Sequence, residues 1–196
     1  MGRWEPGARE RLEQAALELF AEQGFAATTV PQITARAGLT TRTFFRHFAD
    51  KREVLFAYEE DLPALVARIM ADAPAAAGPM TVTAYGLETV AAEVFEGRRE
   101  KLRARRAVVQ ADEGLREREL RKWSVLSEAA GRGFRDRGAD ELTAALAAEM
   151  AVTALRLALT RWLDTGGERG LAEIVADVLG ALRSVARDEP ARPGPG

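Results

Sequence analysis

The sequence has no cysteine and a single histidine, His47. Without thiols it can build no disulfide framework, no thiolate nucleophile and no cysteine-ligated metal site. With one imidazole it has no material for a histidine cluster or a nucleophile–histidine triad, so neither a metal nor a cofactor is expected. It lacks a glycine-rich phosphate loop, a nucleophile elbow and an isolated pair of carboxylates, which excludes the commoner enzyme classes. No run of about 18 uncharged apolar residues is present, and MGRWEPGARER lacks the apolar core of a signal peptide. A cytoplasmic protein without a membrane-spanning helix is therefore expected. Charge of one sign is also missing: 28 basic and 30 acidic residues leave a net charge of −2. Bulk charge gives no reason to expect a polyanionic partner, so such a partner must be argued locally.

What is present is a chain of 196 residues, 47% hydrophobic, whose apolar residues recur at helical spacing nearly throughout. The pattern predicts an all-α protein of about nine helices. The local charge balance changes between Ala26 and Arg52, where Arg36, Arg42, Arg46, Lys51 and Arg52 face one acid, Asp50. Acidic residues flank that stretch on both sides. Cations concentrated on one short element suit phosphate.

The same stretch, TVPQITARAGLTTRTFFRHFADK (residues 29–51), reads as two short helices joined by a tight turn. Thr29 is an N-cap candidate with Pro31 in the first turn, and Val30, Ile33 and Ala37 form one apolar face. Gly38 stands where a helix ends with positive φ. Thr40 is a second N-cap candidate, and Phe44 and Phe48 form a buried i, i+4 pair. Thr41, Arg42, Phe45 and Arg46 are left pointing outward. This is the layout of a helix-turn-helix DNA reader. A helix from about Pro6 to Gln23, carrying Leu12, Ala15, Ala16, Leu19 and Phe20 on one face, would hold the pair at its angle.

Thr29, Val30, Ile33, Ala37, Gly38, Leu39, Thr40, Thr43, Phe44, His47, Phe48, Lys51 and Val54 together resemble the DNA-binding segment of TetR-family transcriptional repressors. Two positions depart from the commonest form: Arg42 replaces a glycine, and Phe45 replaces a tyrosine whose hydroxyl typically reaches a phosphate. The resemblance implies a dimeric regulator that binds a double-stranded palindromic operator and is released by a small molecule. Its DNA-facing set is Thr29, Thr40, Thr41, Arg42, Thr43, Phe45, Arg46, His47 and Lys51. Arg42 suits bidentate pairing with guanine, and Thr41 a thymine methyl or a phosphate. Thr29, His47 and Lys51 are phosphate candidates that fix register, and Phe45 offers ring contact to the sugar-phosphate. Thr43 either contacts DNA or supports its helix, and His47 also admits a purely structural role.

The expected organisation is a DNA-binding domain over residues 1–52, a ligand-binding and dimerisation domain over 53–187, and a Pro/Gly-rich tail at 188–196. A helix from Lys51 to Ala73, kinked or divided at Pro63, would link the domains. Glycines at 131, 133 and 138 should weaken the end of a helix that starts near Leu115. Asp140 should cap a long helix ending at Gly166-Gly167. That helix carries one apolar stripe of Val152, Leu155, Leu159 and Trp162 and another of Leu146, Met150, Thr153 and Leu157. A helix apolar on two sides needs cover on both, which predicts a homodimer through it and its successor. The predicted dimer residues are Val152, Leu155, Leu159, Trp162, Ile174, Val178 and Leu182.

The resemblance also implies a hydrophobic effector. With LRARRAVV, LREREL and ALRLALTRWLDTGG the chain is similar to mycofactocin-system regulators and their acyl-CoA-responsive relatives, so a fatty acyl-CoA is one candidate. Tyr85, Val94, Phe95, Trp123, Leu126, Met150 and Leu157 would line its tunnel, with Arg103 and Arg106 on the phosphates. The alternatives are ordinary core for the apolar residues and a solvated face for the arginines. An activator of the same architecture and a DNA-free helical adaptor are the competing functions.

Overall fold

A computed structural model describes residues 7–57, 62–166 and 168–187. Among the described residues it contains ten α-helices and no strand, so the all-α expectation holds. Two compact units result: residues 1–60 with 100–121, and residues 61–99 with 122–196. The first unit thus continues past the boundary expected at residue 52 and takes in a distant segment. The expected tail and the helix start at Pro6 lie outside the described residues.

In the first unit, α1 (Ala8–Gln23), α2 (Val30–Ala37) and α3 (Thr41–His47) form the head. The α2 start is fixed by a capping box: Thr29 Oγ1 accepts the Gln32 N–H, and Gln32 Oε1 accepts the Thr29 N–H at 2.8 Å. Gly38 ends the helix at φ 64°, and the Leu39 N–H reaches back to the Thr34 carbonyl at 2.8 Å. Thr40 caps α3 by accepting the Thr43 N–H at 3.2 Å. Leu12, Ala16, Phe20, Ile33, Phe44 and Phe48 pack into one core. Burying each phenylalanine contributes roughly 2–3 kcal/mol.

That core also includes α4 (Glu53–Phe56), α7 (Arg99–Ala111) and the first residues of α8 (Glu113–Asp136). A polar seam explains why 100–121 join this unit. The buried Arg105 donates from Nε to the Leu55 carbonyl at 2.6 Å and from Nη1 to Glu119 at 2.8 Å. Its guanidinium lies 4.8 Å from the Phe56 ring centroid. Arg118 pairs with Glu53, and Lys101 with Glu13. A buried cation satisfied on both sides is costly to unpair, so the seam fixes how α7 lies on the head.

The second unit comprises α5 (Leu62–Asp72), α6 (Pro79–Val90) continued by a π-helical turn (Ala91–Phe95), the rest of α8, α9 (Glu141–Asp164) and α10 (Leu171–Ala186). Over the span 51–73 expected as one kinked or divided helix, α4 and α5 are described, and residues 58–61 between them lie outside the described residues. Pro63 falls in the first described turn of α5, where its missing N–H costs little. Nor do the glycines weaken α8, which runs unbroken to Asp136. At Gly133 a Cβ would lie 2.4 Å from Met70 Cγ, so the missing side chain is what lets α5 approach. Arg137 then closes the end of α5 by donating to the carbonyls of Met70, Ala73 and Pro74.

Asp140 caps α9 as expected, accepting the Thr143 N–H at 3.0 Å and hydroxyl at 2.7 Å. By length and composition alone α9 is long and apolar enough to cross a membrane, though no 18-residue window of it is free of charge. Its side chains Ala148, Leu155, Ala158 and Trp162 are buried within the second unit, and Glu149, Arg156 and Arg161 interrupt its sequence.

Candidate nucleic-acid interface

The outer face of α3 presents Thr41, Arg42, Phe45 and Arg46 to solvent, as its spacing predicts. Phe45 is 59% exposed, with its ring edge against buried Phe44 at 5.4 Å. An aromatic ring this exposed on a cationic helix has a stacking or sugar-edge surface to offer. Among the described residues, Arg42 makes no ion pair and no side-chain hydrogen bond. Arg46 approaches only the neighbouring His47 ring, at 3.4 Å.

Arg36 behaves differently. Its guanidinium is held bidentately by Glu22, at 2.8 and 2.7 Å, with Glu18 at 3.4 Å. The Glu22 hydrogen bond is the leading reason that the Arg36 pKa is raised and the Glu22 pKa lowered. The α2 cation is therefore neutralised within the head, while the α3 cations are left for an external anion.

Lys51 requires a correction. Its ammonium donates to the carbonyls of Phe25 and Thr28, both at 2.7 Å, and of Ala26 at 3.3 Å. It also sits 4.4 Å from the Phe25 ring centroid. Burial first, and then the charge of Arg52, lower its pKa, while Asp112 acts in the opposite sense. All three N–H groups point inward, so Lys51 ties the α1–α2 connection to the segment after α3 and has no donor left for phosphate. The Thr29 and Thr40 hydroxyls are likewise engaged as caps, and Thr43 Oγ1 shares a hydrogen bond with Thr40 Oγ1 at 3.1 Å. These threonines fix the starts of α2 and α3.

In the second unit, a cavity of about 60 Å³ is lined by Leu62, Val66, Ile69, Met70, Val82, Thr83, Gly86, Leu87, Val90, Leu126, Ala130, Phe134, Ala151, Val152 and Leu155. Of the residues expected to line a tunnel, Leu126 alone does. Tyr85 and Leu157 are exposed, Phe95 is fully buried away from the void, and Val94, Trp123 and Met150 are half-buried. Arg103 and Arg106 belong to α7 in the first unit, where Arg103 is exposed and paired with Glu100. The missed lining comes mainly from α5 and α6. The apolar density of LPALVARIM is the sequence signal for it.

The predicted dimer stripe is corrected too. Val152, Leu155, Leu159, Trp162, Ile174 and Val178 are each at most 9% exposed, covered by the chain's own helices, and Leu182 is half-buried. The other α9 stripe is the open one: Leu142, Leu146 and Leu157 are all more than half exposed, as is Val185 of α10.

A profile of bacterial regulatory proteins of the tetR family matches residues 13–58, from within α1 through α4. The HTH-type transcriptional regulator TcmR of Streptomyces glaucescens is 35% identical over 89 residues, covering 45% of this chain and 39% of that protein. The chain thus spans about two fifths of the length of this curated relative. Among solved structures, SmeT, the repressor of the Stenotrophomonas maltophilia multidrug efflux pump SmeDEF, superposes with a TM-score of 0.60 at 23% identity, over 91% of this chain and 89% of that one. FadR of Thermus thermophilus, in complex with lauroyl-CoA, gives 0.52 at 23% identity over 96% and 98%. At such identities these structures establish a shared fold. Residues 13–58 thus resemble the DNA-binding segment of the tetR family of bacterial regulatory proteins, and the chain along most of its length shares the fold of these structures.

Proposed function

We propose that the protein is a cytoplasmic, ligand-responsive transcriptional repressor that binds a palindromic operator as a homodimer. The observation that carries this reading is the unneutralised cationic face of α3. Arg42 and Arg46 are exposed there without a carboxylate partner among the described residues, while Arg36 nearby is fully paired. Arg42 would read a guanine edge in the major groove, and Arg46 and Phe45 would contact the backbone beside it. The open leucines of α9 supply an apolar patch of the kind that subunit contacts cover.

The effector is a hydrophobic small molecule held in the second unit, a fatty acyl-CoA among the candidates. Its apolar part would occupy the void beside Leu126 and Val152. At about 60 Å³ the void is well below the several hundred Å³ of a typical ligand site, so binding must widen it. A ligand that prefers the widened state shifts the protein toward it. Release follows when the two reading helices of the dimer no longer sit about one duplex turn, 34–36 Å, apart.

The test is fluorescence anisotropy with a labelled duplex from the intergenic DNA beside the protein's own gene, against a shuffled duplex, across a salt series. Tighter, salt-dependent binding of the first duplex is expected. Absence of salt-dependent binding to either would leave the DNA-free adaptor standing.

A further inference from the structure

Thr83 lies on α6 in the wall of the second unit's cavity and is 4% exposed. Its hydroxyl is buried without a hydrogen-bond partner among the described residues. A helical threonine normally settles this by donating to the carbonyl one turn back. Thr89, on the same helix, does so to Tyr85 at 2.9 Å, whereas Thr83 makes no such bond to Pro79. Leaving a hydroxyl buried and unmet is costly, so the vacancy needs a reason. Water is a poor occupant, because it needs two or more polar partners and no other lining side chain carries a hydroxyl, amide or charge. An ion is worse, since the wall has nothing to pair with it.

We infer that Thr83 is the polar anchor of the cavity, and that the part of the effector buried there is uncharged and mostly apolar, with a single hydroxyl or carbonyl group that bonds to Oγ1 once the cavity widens. The inference rests on the proposed role of this cavity as the effector site. It goes further by naming the chemistry of the buried end: an uncharged hydrogen-bonding group set in hydrocarbon. Met70, flexible and also in the wall, is the side chain best able to make room.

Three matched probes test it by NMR titration: 4-propylphenol, propylbenzene and 4-propylbenzoate, against the wild-type protein, Thr83→Val and Thr83→Ser. Thr83→Val should weaken the phenol about tenfold while leaving propylbenzene unchanged or tighter, and Thr83→Ser should restore the phenol. The benzoate should bind the wild type at least tenfold more weakly than the phenol. Without ligand, Thr83→Val should melt a few degrees higher, because the unmet hydroxyl is gone; this arm does not depend on any probe. If phenol and hydrocarbon bind and respond alike to Thr83→Val, the anchor is refuted and the cavity keeps its role. Benzoate binding tighter than phenol refutes the neutral class. If no probe binds the wild type, the cavity's role falls and the anchor falls with it.

Discussion

Replacing Lys51 by methionine keeps the apolar stem over Phe25 and removes the three N–H donors. Two of its hydrogen bonds are short, 2.7 Å to the carbonyls of Phe25 and Thr28, and the third, to Ala26, is 3.3 Å. A hydrogen bond to a charged group contributes roughly 1.5–3 kcal/mol net. Counting the two short bonds at the low end gives about 3 kcal/mol by the same measure. Water can replace the lysine at the accessible Phe25 and Ala26, but not at Thr28, which is fully buried. The expected loss is therefore about 2 kcal/mol, or a fall of about 4–8 °C in Tm for a chain of this size. The assay pairs a thermal melt with DNA binding across a salt series, measured well below the melting range. A phosphate-contacting lysine would behave oppositely, leaving Tm unchanged and reducing the slope of log K against log salt by about 0.9. That second outcome would refute the inward role assigned here.

Arg42→Ala should cost about 1–3 kcal/mol on the preferred duplex and relax selectivity at one base pair, with Tm unchanged; anisotropy on operator and shuffled DNA measures both. Hydrogen bonds from the Thr143 backbone and hydroxyl hold the Asp140 carboxyl below its usual value of 3.8. The folded pKa is depressed, so this contribution is present above pH 3.8 and lost as the pH falls through the lower folded value. Asp140→Ala should thus lower Tm at pH 7, with the gap narrowing below pH 3.8 in calorimetric melts. Paired charges at the open α9 stripe, Leu146→Glu with Leu157→Glu, should leave the helical circular dichroism intact while halving the mass seen by sedimentation. A matching change at buried Val152 should instead unfold the second unit.

The head was legible because each of its signals is local. Caps, a positive-φ glycine and an i, i+4 aromatic pair are set within a few residues, and Thr29, Gly38, Thr40, Phe44 and Phe48 all take the positions their spacing implies. Lys51 misled because its partners lie more than twenty residues upstream, and an exposed-looking cation carries no sign of a distant carbonyl. The two stripes of α9 were both visible, but spacing cannot say which one the chain's own helices cover. Arg105 shows the same limit: inside a run of six basic residues from Arg98 to Arg106, nothing local separates a buried cation from its solvated neighbours.

Gly133 adopts no backbone geometry reserved for glycine, and α8 passes through it without a break. What matters there is an atom that is missing. The nearest obstacle to a Cβ is Met70, a side chain that also lines the void. The position therefore works as a gauge block: the clearance between α5 and α8 is one methyl group thinner than any other residue would permit. Even alanine would push Met70 aside and retune the chamber it faces without touching it.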